Sequence, residues 1–373
     1  MVKQYRLRDY NFKLLFLVVA LSVIGIFAVS SANDSYTNRQ LGGVIFGFFL
    51  MLVVSLFDYN IIMKFQWIIY ALNIFLLALV KINGVNRGGA TRWINIAGIQ
   101  FQPSETAKIF LILFYAAFFM KHHEEIKGIK YFILTIVFFI PIFIMIYTQP
   151  DMSTSIMITI LFCILFFEAG ISWKVVVGAI AVAIPAFIIV IMLALQPDQD
   201  IIETYQQNRI LAFINPDEYS NAEAYQQLNS VMAIGSGQLT GKGYNSDEIN
   251  SVKNGNFISE PQTDFIFAVI GEEFGFIGTS TVIVLLILIS IECIIIAKRA
   301  KDMGGLIIAS GVGSLIAFQG FVNIAVATQV LPNTGIPLPF VSYGLTSLVS
   351  LYIGIGLVLN VRLQCNIHSR EGI

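Results

Sequence analysis

The chain has 373 residues, 57% of them hydrophobic and only 12% charged. A soluble globular domain carries about twice that share of charge, so this chain lacks the polar residues to cover a water-facing surface and needs a bilayer as its solvent. The formal net charge of −1 offers no electrostatic footprint for nucleic acid. The three scattered cysteines, Cys163, Cys293 and Cys365, match neither a metal-ligand spacing nor a disulfide framework.

In chain order, apolar stretches recur at about 14–32, 41–57, 65–82, 104–120, 131–148, 153–169, 174–195, 265–297, 306–328 and 343–361. Each approaches the length of about 20 residues that carries a helix across a hydrocarbon core. An all-α, polytopic fold of about ten transmembrane helices is expected, as one integral membrane domain over residues 1–373. Lys3, Arg6, Arg8 and Lys13 precede a run ending Ser30-Ser31-Ala32, which imitates a signal peptide. The run is long for one and further spans follow, so an uncleaved first helix is expected. The eighth stretch is long enough to begin outside the hydrocarbon or to bend near Gly271, Gly275 and Gly278.

Lys64, Lys121, Lys127, Lys130, Lys174, Lys298, Arg299, Lys301 and Arg362 fall on the same side as the N-terminus. The positive-inside rule then puts both termini in the cytoplasm. Segments 83–103, 196–264 and 329–342 lie outside. The acidic 196–264 segment is far longer than an ordinary connection. Its apolar patches at 210–213 and 231–234 predict amphipathic helices lying on the outer membrane surface.

An ionisable residue at membrane depth is a functional candidate by default, and the candidates gather toward the outer face. Arg92 is followed by Gln102-Pro103-Ser104-Glu105-Thr106-Ala107-Lys108. Pro103 suits a first helical position and Glu105 a first turn, with Lys108 on the same face. The simple reading is a local Glu105–Lys108 pair; the sharper one is a cationic pocket of Arg92 and Lys108 for a phosphate head group. Asp151, in Gln149-Pro150-Asp151, reads as a helix N-cap. Asp264 opens the eighth span, either as a carboxylate at a helix N-terminus or as a general base in apolar surroundings. Glu272 and Glu273 fall deeper; Gly271 and Gly275 have the spacing of a helix-packing face. Residues 331–344 hold three prolines and two glycines, a stiff non-helical turn that survives at membrane depth only packed in protein or lining a cavity. His122-His123 reads as a solvated face.

Taken together, Arg92-Trp93, the 102–108 run, Gln149-Pro150-Asp151, Asn208-Arg209-Ile210, Ala233-Ile234-Gly235-Ser236-Gly237, Thr263-Asp264-Phe265 through Gly271-Glu272-Glu273, and Pro337-Leu338-Pro339-Phe340-Val341-Ser342-Tyr343-Gly344 resemble the SEDS (shape, elongation, division and sporulation) family typified by RodA and FtsW. The resemblance runs from the first span to about residue 362. It implies a peptidoglycan glycosyltransferase of the bacterial cytoplasmic membrane that polymerises lipid II at the outer face. In that family the aspartate of the Thr-Asp-Phe motif, here Asp264, is catalytic. The resemblance also raises Arg92, Lys108, Asp151, Glu105, Gln102, Arg209 and Ser342 as substrate-site residues. The implied partners are lipid II, the undecaprenyl-pyrophosphate-linked strand, membrane lipids and a class B penicillin-binding protein transpeptidase. No protein metal site is read; a divalent cation is compatible with the pyrophosphate. Ser153, Gln238, Gln262 and Leu345 stand where the family usually has Gly, Gly, His and Gly, which leaves the elongation, division and sporulation branches open. The competing readings are a lipid II transporter and a weakly catalytic division or sporulation scaffold.

Overall fold

The computed structural model describes residues 9–87, 90–96, 98–125, 128–171, 204–214, 222–245 and 258–371, with scattered positions between 177 and 196. The expected seventh span, 174–195, falls largely outside the described residues. The other nine expected spans are all helices. They are α1 (Phe12–Ala32), α2 (Thr37–Leu56), a short α3 (Tyr59–Lys64) leading into α4 (Gln66–Asn83), α5 (Pro103–Lys121), α6 (Ile129–Tyr147), α7 (Met152–Glu168), and, after two outer helices α8 (Thr204–Ile214) and α9 (Ala222–Ser236), α10 (Ile266–Lys298), α11 (Met303–Ala327) and α12 (Leu345–Glu371).

Burial sorts them into centre and rim. The helix α5 is buried on nearly every face from Pro103 to Phe119, and α11 and α12 are similarly enclosed. On α4 and α6 large apolar side chains such as Ile68, Phe75, Ile133 and Ile144 point outward, as expected where the solvent is lipid. Local signals set the helix starts. Pro103 occupies the first turn of α5 with Glu105 behind it, and Asp302 caps α11 by accepting from the Gly305 N–H at 2.8 Å. A polar network closes the basic end of the bundle. There Tyr59 donates to Asp302 at 2.8 Å, and Asn360 accepts from the Tyr59 N–H at 3.0 Å.

The 83–103 segment is not an irregular loop. It forms an antiparallel sheet of three strands, β1 (Gly84–Arg87), β2 (Ala90–Ile96) and β3 (Ile99–Phe101), in the order β1-β2-β3. Burial alternates along β2, where Arg92 and Ile94 turn inward and Asn95 outward.

The outer helices differ from expectation in one respect. Instead of lying only on the membrane surface, α9 docks a polar face onto α11. Its Ser230 hydroxyl donates to the Ala327 carbonyl at 2.7 Å, and Gln227 donates to Val326 and Leu331 carbonyls at 3.1 and 2.9 Å. Its apolar side chains Tyr225, Leu228 and Met232 face outward. The docking carries a backbone strand, 238–243, beneath a kink in α10 at Gly275, whose φ is +61°. Phe276 and Ile277 donate their N–H groups to Gln238 and Leu239, while Glu272 and Glu273 carbonyls accept from Lys242 and Gly243. Those four groups make up two of the i→i+4 pairs a straight helix would close here, so both pairs are satisfied from outside. The approach is tight enough that a Cβ on Gly241 would stand 2.1 Å from the Glu273 carbonyl. Gln238 adopts φ +48°, a conformation glycine takes without strain.

Candidate active site

The site is built where the start of α10 meets the proline-rich turn between α11 and α12. Three successive carbonyls ahead of α10 are each held by one donor. Gln262 accepts from the Tyr343 N–H at 2.8 Å, Thr263 from the Ser342 hydroxyl at 2.6 Å, and Asp264 from the Asn323 side chain at 2.8 Å. Ser342 in turn accepts from the Leu338 N–H at 2.8 Å. The turn contains Pro332, Pro337 and Pro339, which lack N–H groups, so it has too few donors for the regular ladder of a strand or helix and closes only short bonds such as Ser342 N–H to the Leu338 carbonyl at 3.0 Å. It is pinned by its neighbours instead. Ser342, expected to meet substrate, is engaged with this backbone.

The Asp264 carboxylate is partly buried beside Gly335, whose φ of +70° turns the chain sharply. A Cβ added there would lie 3.5 Å from Asp264 Oδ2 and 3.9 Å from an Arg209 guanidinium nitrogen. Acid and cation therefore flank one small residue. Arg209, brought in by α8, also donates to the Asn333 carbonyl at 3.2 Å. Burial raises the Asp264 carboxyl above the usual aspartate range; Arg209 opposes the rise, Glu260 adds to it and Arg92 opposes it. The result is a carboxylate more basic than usual, held within the field of two cations.

Arg92 reaches the site from β2. Its guanidinium donates to the Pro150 carbonyl and stands 3.7 Å from Asp151 Oδ1. Asp151 has the N-cap role expected of it and a second one that the sequence did not suggest. Its Oδ1 caps α7 by accepting from the Thr154 N–H at 3.2 Å, and the same carboxylate is Arg92's counterion. Arg92 Nε, a donor, and Asp151 Oδ2, an acceptor, are buried without a hydrogen-bond partner among the described residues.

Lys108 and Glu105 fall elsewhere. Lys108 is 2% exposed and donates to Glu105 at 2.8 Å and to Gln319 on α11 at 3.0 Å. It supports the turn through Gln319, which donates to the Pro337 carbonyl at 3.0 Å. Gln102 links the sheet to α12, its N–H donating to the Thr346 hydroxyl at 3.1 Å. Of the expected residues, Asp264, Arg209 and Arg92 with Asp151 share one electrostatic field; Glu105, Lys108, Gln102 and Ser342 form the frame behind it. Asn323 and Gln319 escaped the reading of the sequence. Their signal was present as two uncharged amides four residues apart within an apolar span. Deeper in, Glu272 pairs with Lys242 at 2.9 Å, and Glu273 accepts from Ser31. Among the described residues no three His, Cys, Asp or Glu side chains converge as a metal cage.

Comparison with known proteins gives concordant results. Residues 9–367 match the family model FTSW_RODA_SPOVE, described as cell cycle protein. The peptidoglycan glycosyltransferase MrdB of Escherichia coli (strain K12) is 31% identical over 93% of this chain and 91% of its own. The probable peptidoglycan glycosyltransferase FtsW of Wigglesworthia glossinidia brevipalpis is 31% identical over 97% of this chain and 96% of its own. Among solved structures, a chain of a peptidoglycan synthase complex that coordinates polymerization and crosslinking superposes with a TM-score of 0.79 at 26% identity, covering 95% of this chain and 98% of that one. The rod shape determining protein RodA of Thermus thermophilus superposes with a TM-score of 0.69 at 25% identity, covering 95% and 96%.

Proposed function

The chain belongs to the FtsW, RodA and SpoVE family of cell cycle proteins, and we propose that its outer site polymerises lipid II with Asp264 as general base. It is a multi-pass membrane peptidoglycan glycosyltransferase. In the reaction, Asp264 takes the proton of the lipid II sugar 4-hydroxyl as that oxygen attacks the anomeric carbon of the growing strand. The bond to undecaprenyl pyrophosphate breaks, and the charge that develops on the leaving phosphate is met by Arg209 and Arg92. The observation that carries this reading is the carboxylate of Asp264 beside Arg209 at Gly335, within the field of Arg92. A transporter would need ionisable groups lining a path to both faces, whereas this group gathers at one end of the bundle.

The test is synthesis of glycan strands from purified lipid II by the purified protein, followed as a function of pH. Only ionised Asp264 accepts a proton, so kcat/KM is expected to rise with pH. Because burial holds the carboxyl above its ordinary value, the midpoint of the acid limb lies above about 3.9. A rate that is flat across that limb would remove Asp264 from the role.

The orientation proposed puts the sheet, α8, α9 and the turn outside, with both termini in the cytoplasm. Single cysteines replacing Asn95 or Asn245, in a chain without Cys163 and Cys365, are expected to react with an impermeant thiol reagent on intact cells. Cysteines replacing Glu125 or Arg299 are expected to stay unlabelled until the cells are opened. Labelling at 125 and 299 but not at 95 inverts the orientation. The proposed partner is a class B penicillin-binding protein that cross-links the new strand, a reading supported by the likeness to a chain of a peptidoglycan synthase complex.

A further inference from the structure

We propose that Asn323 is a positioning residue for the reaction, fixing where the Asp264 carboxylate points. The inference rests on the reading of Asp264 as the base. Asn323 sits on α11 at 1% exposure, on the turn of helix nearest the outer site. Its side-chain nitrogen donates to two carbonyls at once, Asp264 and Ile336, each at 2.8 Å. One residue thus ties the backbone of the base directly to the turn that carries Gly335, against which the carboxylate and Arg209 pack. The orientation of the amide is dictated by its surroundings. Reversed, its oxygen would face two carbonyl oxygens and gain no donor.

The arrangement leaves one polar group unpaired. The amide oxygen Oδ1 is buried without a hydrogen-bond partner among the described residues, and burying such a group costs free energy that an apolar residue of the same size would avoid. Leucine would remove that unpaired oxygen, but it would also leave the Asp264 and Ile336 carbonyls without this donor. The gain lies in geometry. Pro337 and Pro339 supply no N–H, and α11 grips the turn with two amides spaced one turn apart. Asn323 takes Ile336 and Gln319 takes the next carbonyl, Pro337, at 3.0 Å. Only Asn323 extends the grip to Asp264. Tyr343 and Ser342 hold the two preceding carbonyls to the turn, and Asn323 holds the carbonyl of the base itself; a reacting group displaced by about 1 Å can lose about 10²-fold in rate, so this side chain bears on kcat without touching substrate.

The experiment measures strand synthesis over a range of purified lipid II concentrations with Asn323→Leu and Asn323→Asp. Both are near-isosteric, and neither carries the two N–H donors. Rates are expressed per molecule that is monodisperse and cooperatively melting. The expected result is a fall in kcat of about 10-fold to 10²-fold, the range a displaced base allows, with KM unchanged. Parental kcat in folded Asn323→Leu overturns the inference. So does a loss confined to folded yield, because that is what a residue with a purely structural duty would produce. A raised KM at constant kcat also overturns it, by moving Asn323 into substrate binding. Should Asn323→Leu fail to fold, Asn323→Ser carries the same test, since one hydroxyl hydrogen cannot serve both carbonyls. Asp264→Asn is measured alongside. If it retains full activity, the reading of the base itself has failed; if it is inactive while Asn323→Leu is fully active, only the positioning role has failed.

Discussion

Asp264→Asn is expected to lower lipid II polymerisation by about 10²–10⁴-fold, the contribution of a positioned general base, while leaving the fold at least as stable. The two halves have one cause. Burial raises the Asp264 carboxyl, so the folded protein disfavours the ionised form relative to the unfolded chain. A raised carboxyl binds protons more tightly folded than unfolded. Its contribution to stability is therefore lost as pH rises through the window between the ordinary and the raised value, and it remains lost at pH 7. Asparagine carries no charge to bury, and the Asp264 carbonyl keeps its bond to Asn323. Melting in detergent and strand synthesis on one preparation separate the effects. A well-folded Asp264→Asn protein that makes strands at the parental rate would falsify the general-base assignment.

Arg92→Ala is expected to reduce both turnover and stability, and the two losses can be pulled apart. The Asp151 carboxylate beside Arg92 is 3% exposed. Removing the guanidinium strands that charge, a loss of about 3 kcal/mol for a buried pair broken from one side. The absent cation no longer meets the developing pyrophosphate charge, a loss of about 10²-fold in rate when one preorganised donor is deleted. Arg92→Lys keeps the charge but not the fork that spans the Pro150 carbonyl and Asp151, and is expected to fall between the two. Adding Asp151→Asn to Arg92→Ala should recover melting temperature, because no carboxylate remains unpaired, without recovering polymerisation. If the double variant polymerises at the parental rate, Arg92 serves only to neutralise Asp151.

What the sequence by itself determined was everything governed by solvent and by short range. Its scarcity of charge required a bilayer, and the spacing of apolar stretches located nine helices that the structure describes. The local chemistry of Pro103, Glu105 and Asp151 set where α5 and α7 begin. The glycines at 271, 275 and 278 announced a bend in α10. Asp264 and Arg92 stood out because charge at membrane depth is costly and rarely placed without purpose. The sheet at 84–101 was not legible, since β2 turns Arg92 and Ile94 inward with Trp93 between them and so carries no apolar alternation.

Tertiary structure decided which of the candidates meet. Lys108 and Arg92 carry the same charge and both lie near the outer face, yet one is bonded to Glu105 and Gln319 inside the bundle and the other pairs with Asp151 in the field of Asp264. Sequence spacing suggested the Glu105–Lys108 pair but not the rest, because the other partners lie 211 residues away on α11 for Lys108 and 58 residues away at Pro150 for Arg92. The same holds for Arg209, delivered to Asp264 by a helix of the outer segment, and for Asn323, whose amide looks like any other polar residue in an apolar run. Its role appears only when α10, α11 and the proline turn are brought together. In a bilayer a backbone carbonyl without a partner is too costly to leave, so each carbonyl of 262–264 recruits whichever donor the packing brings within 3 Å, and that choice belongs to the fold.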